Sequence, residues 1–218
     1  MFLNVNGNEV GIKTFDEGDI DIIMKFQDEV IDKLEDESIF VKETREECGF
    51  AINNGLVVGA YIRDILVGVW TLTAFGEREE NYGYDLGFSK EKIARTINFE
   101  NAIVKEDARG MGLDTAVVNF ALEIMKDRGD YFACTVAPHN LPSLKAMVRN
   151  GFYIVMHKIK YGGFERYILL RDETVKREFD ENQKVVISFE KTDEINKLLG
   201  DGYCVCDITK ENDFVMYK

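Results

Sequence analysis

The sequence predicts a mixed α/β fold, a mostly antiparallel sheet flanked by helices, with a small C-terminal β-α-β-β extension. Three observations carry that expectation. Runs rich in β-branched and aromatic residues at 56–74 and 152–172 pair off as hairpins around short turns. Between them, a strand-helix-strand unit spans residues 96–136. Across 218 residues, 45% are hydrophobic and 31% charged, the balance of a soluble chain able to fill one sizeable core.

Taken in order, residues 9–14 (EVGIKT) read as a first strand. From Glu17 to Asp36, Ile23, Phe26, Val30 and Leu34 recur near helical period with acids and lysines between them. A short charged helix is expected around 41–48. LVVGAYIRD and ILVGVWTLTA then form a hairpin turning at Arg63-Asp64. Residues 76–90 are polar and glycine-containing, hence a loop, leading to a short helix at 89–95 and a strand at 96–104. Past the glycine turn, Leu113, Ala116, Val117, Phe120 and Ile124 keep helical spacing until Lys126, Arg128 and Gly129 end the helix. YFACTV is a strand, Asn140 to Asn150 a helix stopped by Gly151, and residues 152–172 a hairpin turning at Tyr161-Gly162-Gly163. DETVKREFDENQ (172–183) reads as a linker. After it, VVISFE, EINKLLGDG, YCVCDI and DFVMYK supply the extension. The expected division is a main domain at 1–175 and the extension at 184–218.

Composition excludes several functions. With 27 basic and 40 acidic residues the net charge is −13, which disfavours nucleic acid and anionic membranes as partners. It suits a cationic amine. No apolar run is long enough to cross a bilayer, and MFLNVNGNEVGIK has no signal-peptide pattern, so a cytoplasmic protein is expected. Cys48, Cys134, Cys204 and Cys206 are too sparse for a disulfide framework, and Cys204-x-Cys206 without a second pair is weak evidence of metal. His139 and His157 are the only histidines, which supports neither a triad nor a zinc site, and no metal is expected. A homodimer is compatible with the sequence.

The strand ending at Val104 runs through Lys105–Ala108 into Arg109-Gly110-Met111-Gly112 and directly into a helix. The first amides of a helix lack internal acceptors, and the helix dipole is positive there, so the turn is an anion site. Glycine allows close approach and positive φ, and Arg109 adds a fixed charge. By itself, Gly-x-Gly also serves as a plain tight connection. It lacks the Gly-Lys-Ser/Thr ending of a P-loop, and the chain lacks the parallel repeats of a Rossmann fold. Further on, Pro138-His139-Asn140-Leu141-Pro142-Ser143 opens a helix that closes at Asn150-Gly151-Phe152. Asn140 suits an N-cap, Pro142 a first turn and Gly151 a C-cap.

Together the two segments resemble the signatures of the GNAT superfamily of acyl-CoA-dependent N-acyltransferases. Val104–Ala108 followed by Arg109-Gly110-Met111-Gly112-Leu113-Asp114 is similar to the family's strand and Q/R-x-x-G-x-G/A turn. Pro138, Asn140, Ser143, Gly151 and Phe152 are similar to its P-x-N-x-x-S/A helix with a closing Gly-Phe. The resemblance covers residues 9 to about 171. It implies a GNAT-like sheet and acetyl-CoA as acyl-donor cosubstrate. It further implies pantetheine pairing along Ala102, Ile103 and Val104, pyrophosphate on the amides of Arg109, Gly110, Met111, Gly112, Leu113 and Asp114, and a cofactor contact from Asn140. Three positions depart: Glu106 replaces a common proline, Asp114 a small residue, and Met147 the tyrosine that often protonates the leaving thiolate.

The expected reaction is transfer of an acetyl or other short acyl group to a primary amine of a small molecule or protein. An alkylammonium must lose a proton before it attacks, which calls for a carboxylate. Glu100, four residues before Val104 on the strand, is the candidate base, with an ion-pair or solvent-facing role as its alternative. Tyr84, Asp85 and Trp70 are candidates for substrate binding. The general acid is unassigned: Cys134, Tyr153, Tyr161 and water all remain open. A catalytically weak acyl-CoA-binding or sensing domain is the alternative function.

Overall fold

The Asn6-Gly7 turn, with both residues at positive φ, joins strand β1 (Phe2–Val5) to β2 (Asn8–Thr14) in a hairpin whose first strand the sequence did not reveal. The computed structural model describes residues 1–34 and 36–218, and divides the chain into two units, Met1–Gly129 and Asp130–Lys218.

In the first unit, helix α1 (Ile20–Ile31) buries Ile23, Phe26 and Val30 as the periodicity predicts. It stops short of the expected Asp36; of that predicted span, Glu35 lies outside the described residues. Helix α2 (Arg45–Asn54) starts later than expected, because Thr44 and Glu47 form a reciprocal capping box that sets its first turn. β3 (Gly55–Ile62) and β4 (Ile65–Thr73) form the predicted hairpin, with Arg63 and Asp64 at φ 49° and 62° as a two-residue turn of the primed type requires. Inside the predicted loop lies a one-turn helix, α3 (Tyr82–Asp85), and α4 (Lys90–Ala94) follows. β5 (Thr96–Val104) matches its predicted span, and α5 (Leu113–Met125) follows the glycine turn. The strands pair antiparallel in the order β1-β2-β3-β4-β5. Phe15, Ile23, Phe26, Cys48, Val69 and Ile103 are among the residues that pack α1 and α2 onto this sheet. One expectation is corrected: α5 buries Val118, Ala121, Leu122 and Met125 beside Leu113 and Val117, while Ile124 is 51% exposed. The helix is apolar around most of its circumference, so periodicity under-determines its buried face.

The second unit contains β6 (Tyr131–Val136), α6 (Leu141–Arg149), β7 (Tyr153–Lys160), β8 (Phe164–Asp172), β9 (Val185–Ser188), α7 (Thr192–Gly200), β10 (Cys204–Ile208) and β11 (Asp213–Tyr217). Its antiparallel order is β6-β8-β7-β10-β11-β9. The extension therefore continues the sheet, joined through Val205 and Ile154. The charged segment before it is tied down as well. Phe179 stacks on Tyr217 with ring centroids 4.8 Å apart, and the Tyr217 hydroxyl donates to Glu181 at 2.8 Å.

Candidate active site

The glycine turn has the geometry its residues predict. Gly110 and Gly112 have φ of +74° and +88°, and Gly112 is the left-handed cap from which α5 starts. Among the described residues, the amides from Gly110 to Asp114 donate no hydrogen bond within the chain. A Cβ built on Gly110 meets nothing within 4 Å, so the backbone there is open. Unpaired amides, open backbone and the N-terminus of a thirteen-residue helix together fit a pyrophosphate. The turn is braced from outside itself: Asn6 donates its side-chain N–H to the Met111 carbonyl at 2.8 Å. Arg109 folds back, its Nε donating to the Val104 carbonyl at 3.1 Å.

Asp114 is turned away from the turn's open side. Its Oδ1 accepts from the Trp70 indole at 3.1 Å, and burial raises its pKa while that hydrogen bond opposes the rise. The like charge that would oppose a phosphate is thus drawn toward the sheet. Trp70 itself is 1% exposed, opposite Ala102 in the ladder, and its polar edge is occupied by Asp114.

Glu100 sits at a break in the pleat. The β4–β5 ladder pairs Thr71 with Asn101 and Leu72 with Phe99, leaving Glu100 as the extra residue of a bulge. The period of two that relates Glu100 to the face of Val104 is interrupted between them, so the bulge rather than the alternation aims the side chain. Its Oε1 is buried and has no hydrogen-bond partner among the described residues. Burial pushes the carboxyl up to about 7, opposed by hydrogen bonds from Asn98 and Tyr82 and reinforced by the charge of Glu43.

Glu43 was not found by sequence reasoning. It lies in the loop just before the α2 cap, with its main chain held on both sides by the buried Gln27, each hydrogen bond 2.9 Å long. Thr71 donates to its carboxyl at 3.3 Å. Its pKa is also pushed to about 7, chiefly by burial, while hydrogen bonds from Asn101 and Thr71 oppose the rise. Tyr82 was missed too. Of the pair expected in that loop, Tyr84 is 47% exposed with its hydroxyl donating to the Glu77 carbonyl, and Asp85 is half-buried on the same short turn. The sequence signal that could have drawn attention to Glu43 is the capping pattern Thr44-x-x-Glu47, whose N-cap it directly precedes.

Two carboxyls with raised pKa make stability depend on pH. Each binds its proton more tightly when folded, so its contribution is complete below about 4.5 and is lost as pH rises toward about 7. Each is worth roughly 3 kcal/mol at the limit, taking about 1.4 kcal/mol per pKa unit. Urea unfolding at successive pH values is expected to show stability falling as pH rises from about 4.5 to about 7, with a shallower fall in Glu43→Gln. An unchanged slope in that variant would contradict the account.

In the second unit, Asn140 caps α6, accepting from the Ser143 amide at 3.3 Å, the helix-boundary role its position predicts. Met147 and Cys134 are buried, on α6 and β6. The Tyr161 hydroxyl hydrogen-bonds Thr135 at 3.0 Å, and Tyr153 packs edge-on against Phe179.

Residues 24–152 match the sequence profile of the acetyltransferase (GNAT) family. Among curated proteins none matches the chain. Solved structures similar in fold include an N-acetyltransferase from Staphylococcus aureus Mu50, at 15% identity and TM-score 0.58, covering 76% of this chain and 99% of that one. Arabidopsis thaliana NAA60 in complex with acetyl-CoA is similar at 15% identity and TM-score 0.57, covering 75% and 99%. So is yncA, a putative acetyltransferase from Salmonella typhimurium with its cofactor acetyl-CoA, at 10% identity and TM-score 0.56, covering 79% and 98%.

Proposed function

The chain belongs to the acetyltransferase (GNAT) family, and from that premise we propose that it acetylates a primary amine, with Glu100 as the base. The observation that carries this reading is the bulge at Glu100, which presents a buried carboxyl oxygen without a hydrogen-bond partner among the described residues. A carboxyl poised near neutrality is matched to taking a proton from an alkylammonium at physiological pH. Glu43 supplies a second acidic group close to it, and the surplus of acidic residues favours a cationic acceptor.

Acetyl-CoA supplies the acyl group as a thioester. The amides from Gly110 to Asp114 hold its pyrophosphate, and main-chain groups of Ala102 to Val104 pair with its pantetheine arm as an added strand does. Arg109, by releasing the Val104 carbonyl it holds, gains reach toward the phosphates. Glu100 accepts the amine's proton, so that the neutral amine attacks directly. No acid in the chain is assigned to the departing thiol, since Met147 stands in the position of the usual tyrosine.

That same methionine favours a second reading, a catalytically weak domain that senses acyl-CoA. Incubating the protein with acetyl-CoA and a panel of primary amines, while following thiol release and the melting temperature, separates the two. Acetylated amine together with stabilisation by acetyl-CoA supports the enzyme. Stabilisation without turnover supports the sensor. Stabilisation by NAD, ATP or S-adenosylmethionine but not by acetyl-CoA would defeat both.

A further inference from the structure

Cys204 and Cys206 lie on β10 and have no part in the proposed acyl transfer. In a regular strand, residues two apart share a face at a spacing of about 6.7 Å, at the long end of what a disulfide spans. Here the ladder pairs Val205 with Met216 and Asp207 with Val215, so Cys206 is the extra residue of a bulge. The two sulfurs approach to 3.5 Å. Arg177, from the segment before the extension, donates to the Cys204 sulfur at 3.1 Å while lying over the Tyr153 ring, 5.0 Å from its centroid. The Cys206 thiol and the Arg177 charge bring the Cys204 thiol down to about 7 against the opposing effect of burial. Cys206 is the more exposed of the two, with its own thiol held protonated beside that neighbour. Cys48 differs: it is buried, and burial together with Glu43 pushes its thiol up to about 11.

We propose that Cys204 and Cys206 form an oxidisable dithiol, in which Cys204 attacks a small hydroperoxide and Cys206 resolves the product. The Cys204 thiolate forms an S–O bond as the peroxide O–O bond breaks, giving a sulfenic acid and hydroxide, which takes a proton to become water. The Cys206 sulfur then forms the S–S bond, and the sulfenic oxygen leaves as a second water with the Cys206 proton. Two thiols and one hydrogen peroxide yield one disulfide and two waters; the sulfurs lose two electrons and the peroxide gains them. The Cys206 thiol and Arg177 both favour the Cys204 thiolate, and the 3.5 Å separation lets resolution precede further oxidation. A small oxidant is required, because Cys204 is only 4% exposed.

The test treats the reduced full chain with hydrogen peroxide, blocks remaining thiols by alkylation and reads the cysteine peptides by mass spectrometry. In the wild type, the peptide holding Cys204 and Cys206 is expected to lose two hydrogens and to escape alkylation, while Cys48 and Cys134 are alkylated. Cys206→Ser is expected to stop at a sulfenic acid on Cys204, captured by dimedone. Arg177→Met is expected to slow the reaction severalfold, because loss of the guanidinium raises the Cys204 thiol and lowers its thiolate fraction. Because that variant also alters packing, Cys204→Ser serves as a second check, and Cys206 alone is expected to react at least about tenfold more slowly. Oxidation of Cys48 or Cys134 as fast as Cys204, disulfides between chains, or a native Cys204 inert to peroxide would overturn the proposal.

Discussion

Glu100→Gln is expected to lower kcat about 10²- to 10⁴-fold, the range over which a positioned base accelerates proton removal. The KM for acetyl-CoA is expected to stay near the wild-type value, because the glycine turn is untouched. The sign of the pH effect follows from the role: a base works when unprotonated, so wild-type kcat rises with pH through about 7 and levels off above it. That limb belongs to Glu43 and Glu100 as an interacting pair. In the variant it disappears, and the remaining rate climbs toward the amine's own pKa near ~10. Glutamine also removes a buried ionisable group, so the variant gains stability at pH 8 relative to wild type, which separates lost chemistry from lost folding. A kcat close to wild type, or a limb near pH 7 that vanishes in Glu43→Gln and persists in Glu100→Gln, would move the base elsewhere.

Gly112→Ala is expected to weaken acetyl-CoA binding tenfold or more while leaving kcat at saturation nearly unchanged. Two costs coincide there. The φ of +88° is unfavourable for an L-residue by roughly 1–2 kcal/mol. A Cβ would also lie 2.9 Å from the Asn6 side-chain nitrogen, which holds the Met111 carbonyl. Relief on either side moves the amides proposed to hold the pyrophosphate. Gly110→Ala pays the conformational cost without that clash, so its effect on binding should be the smaller. Calorimetric titration with acetyl-CoA measures both, and equal affinities across wild type and the two variants would refute this role for the turn.

The parts of the fold that were legible are those where local chemistry and tertiary structure agree. Thr96–Val104, Tyr131–Val136 and the turn at Arg63-Asp64 follow from β-branched runs and turn residues. So do Gly110, Gly112 and the Asn140 cap. What escaped depends on long-range partners. β1 is a strand because β2 is beside it, and the buried face of α5 depends on what packs against it. Glu43 joins the site through Gln27, Thr71 and Asn101, none of them its sequence neighbours. Glu100 was visible as an acid on β5, but the bulge that aims it is a property of register between two strands. Trp70 and Asp114 each stood out, and their hydrogen bond across 44 positions did not.

The brace from Asn6 to Met111 links residues 105 apart. During synthesis the β1–β2 hairpin leaves the ribosome before that turn, and at roughly 5–20 residues per second it waits several seconds for the turn to emerge. Until β3 is made and pairs with β2, the hairpin has only a two-stranded ladder of its own, which is marginal in water. The brace on the glycine turn therefore forms only when an already synthesised hairpin is recaptured by a segment made 105 residues after it.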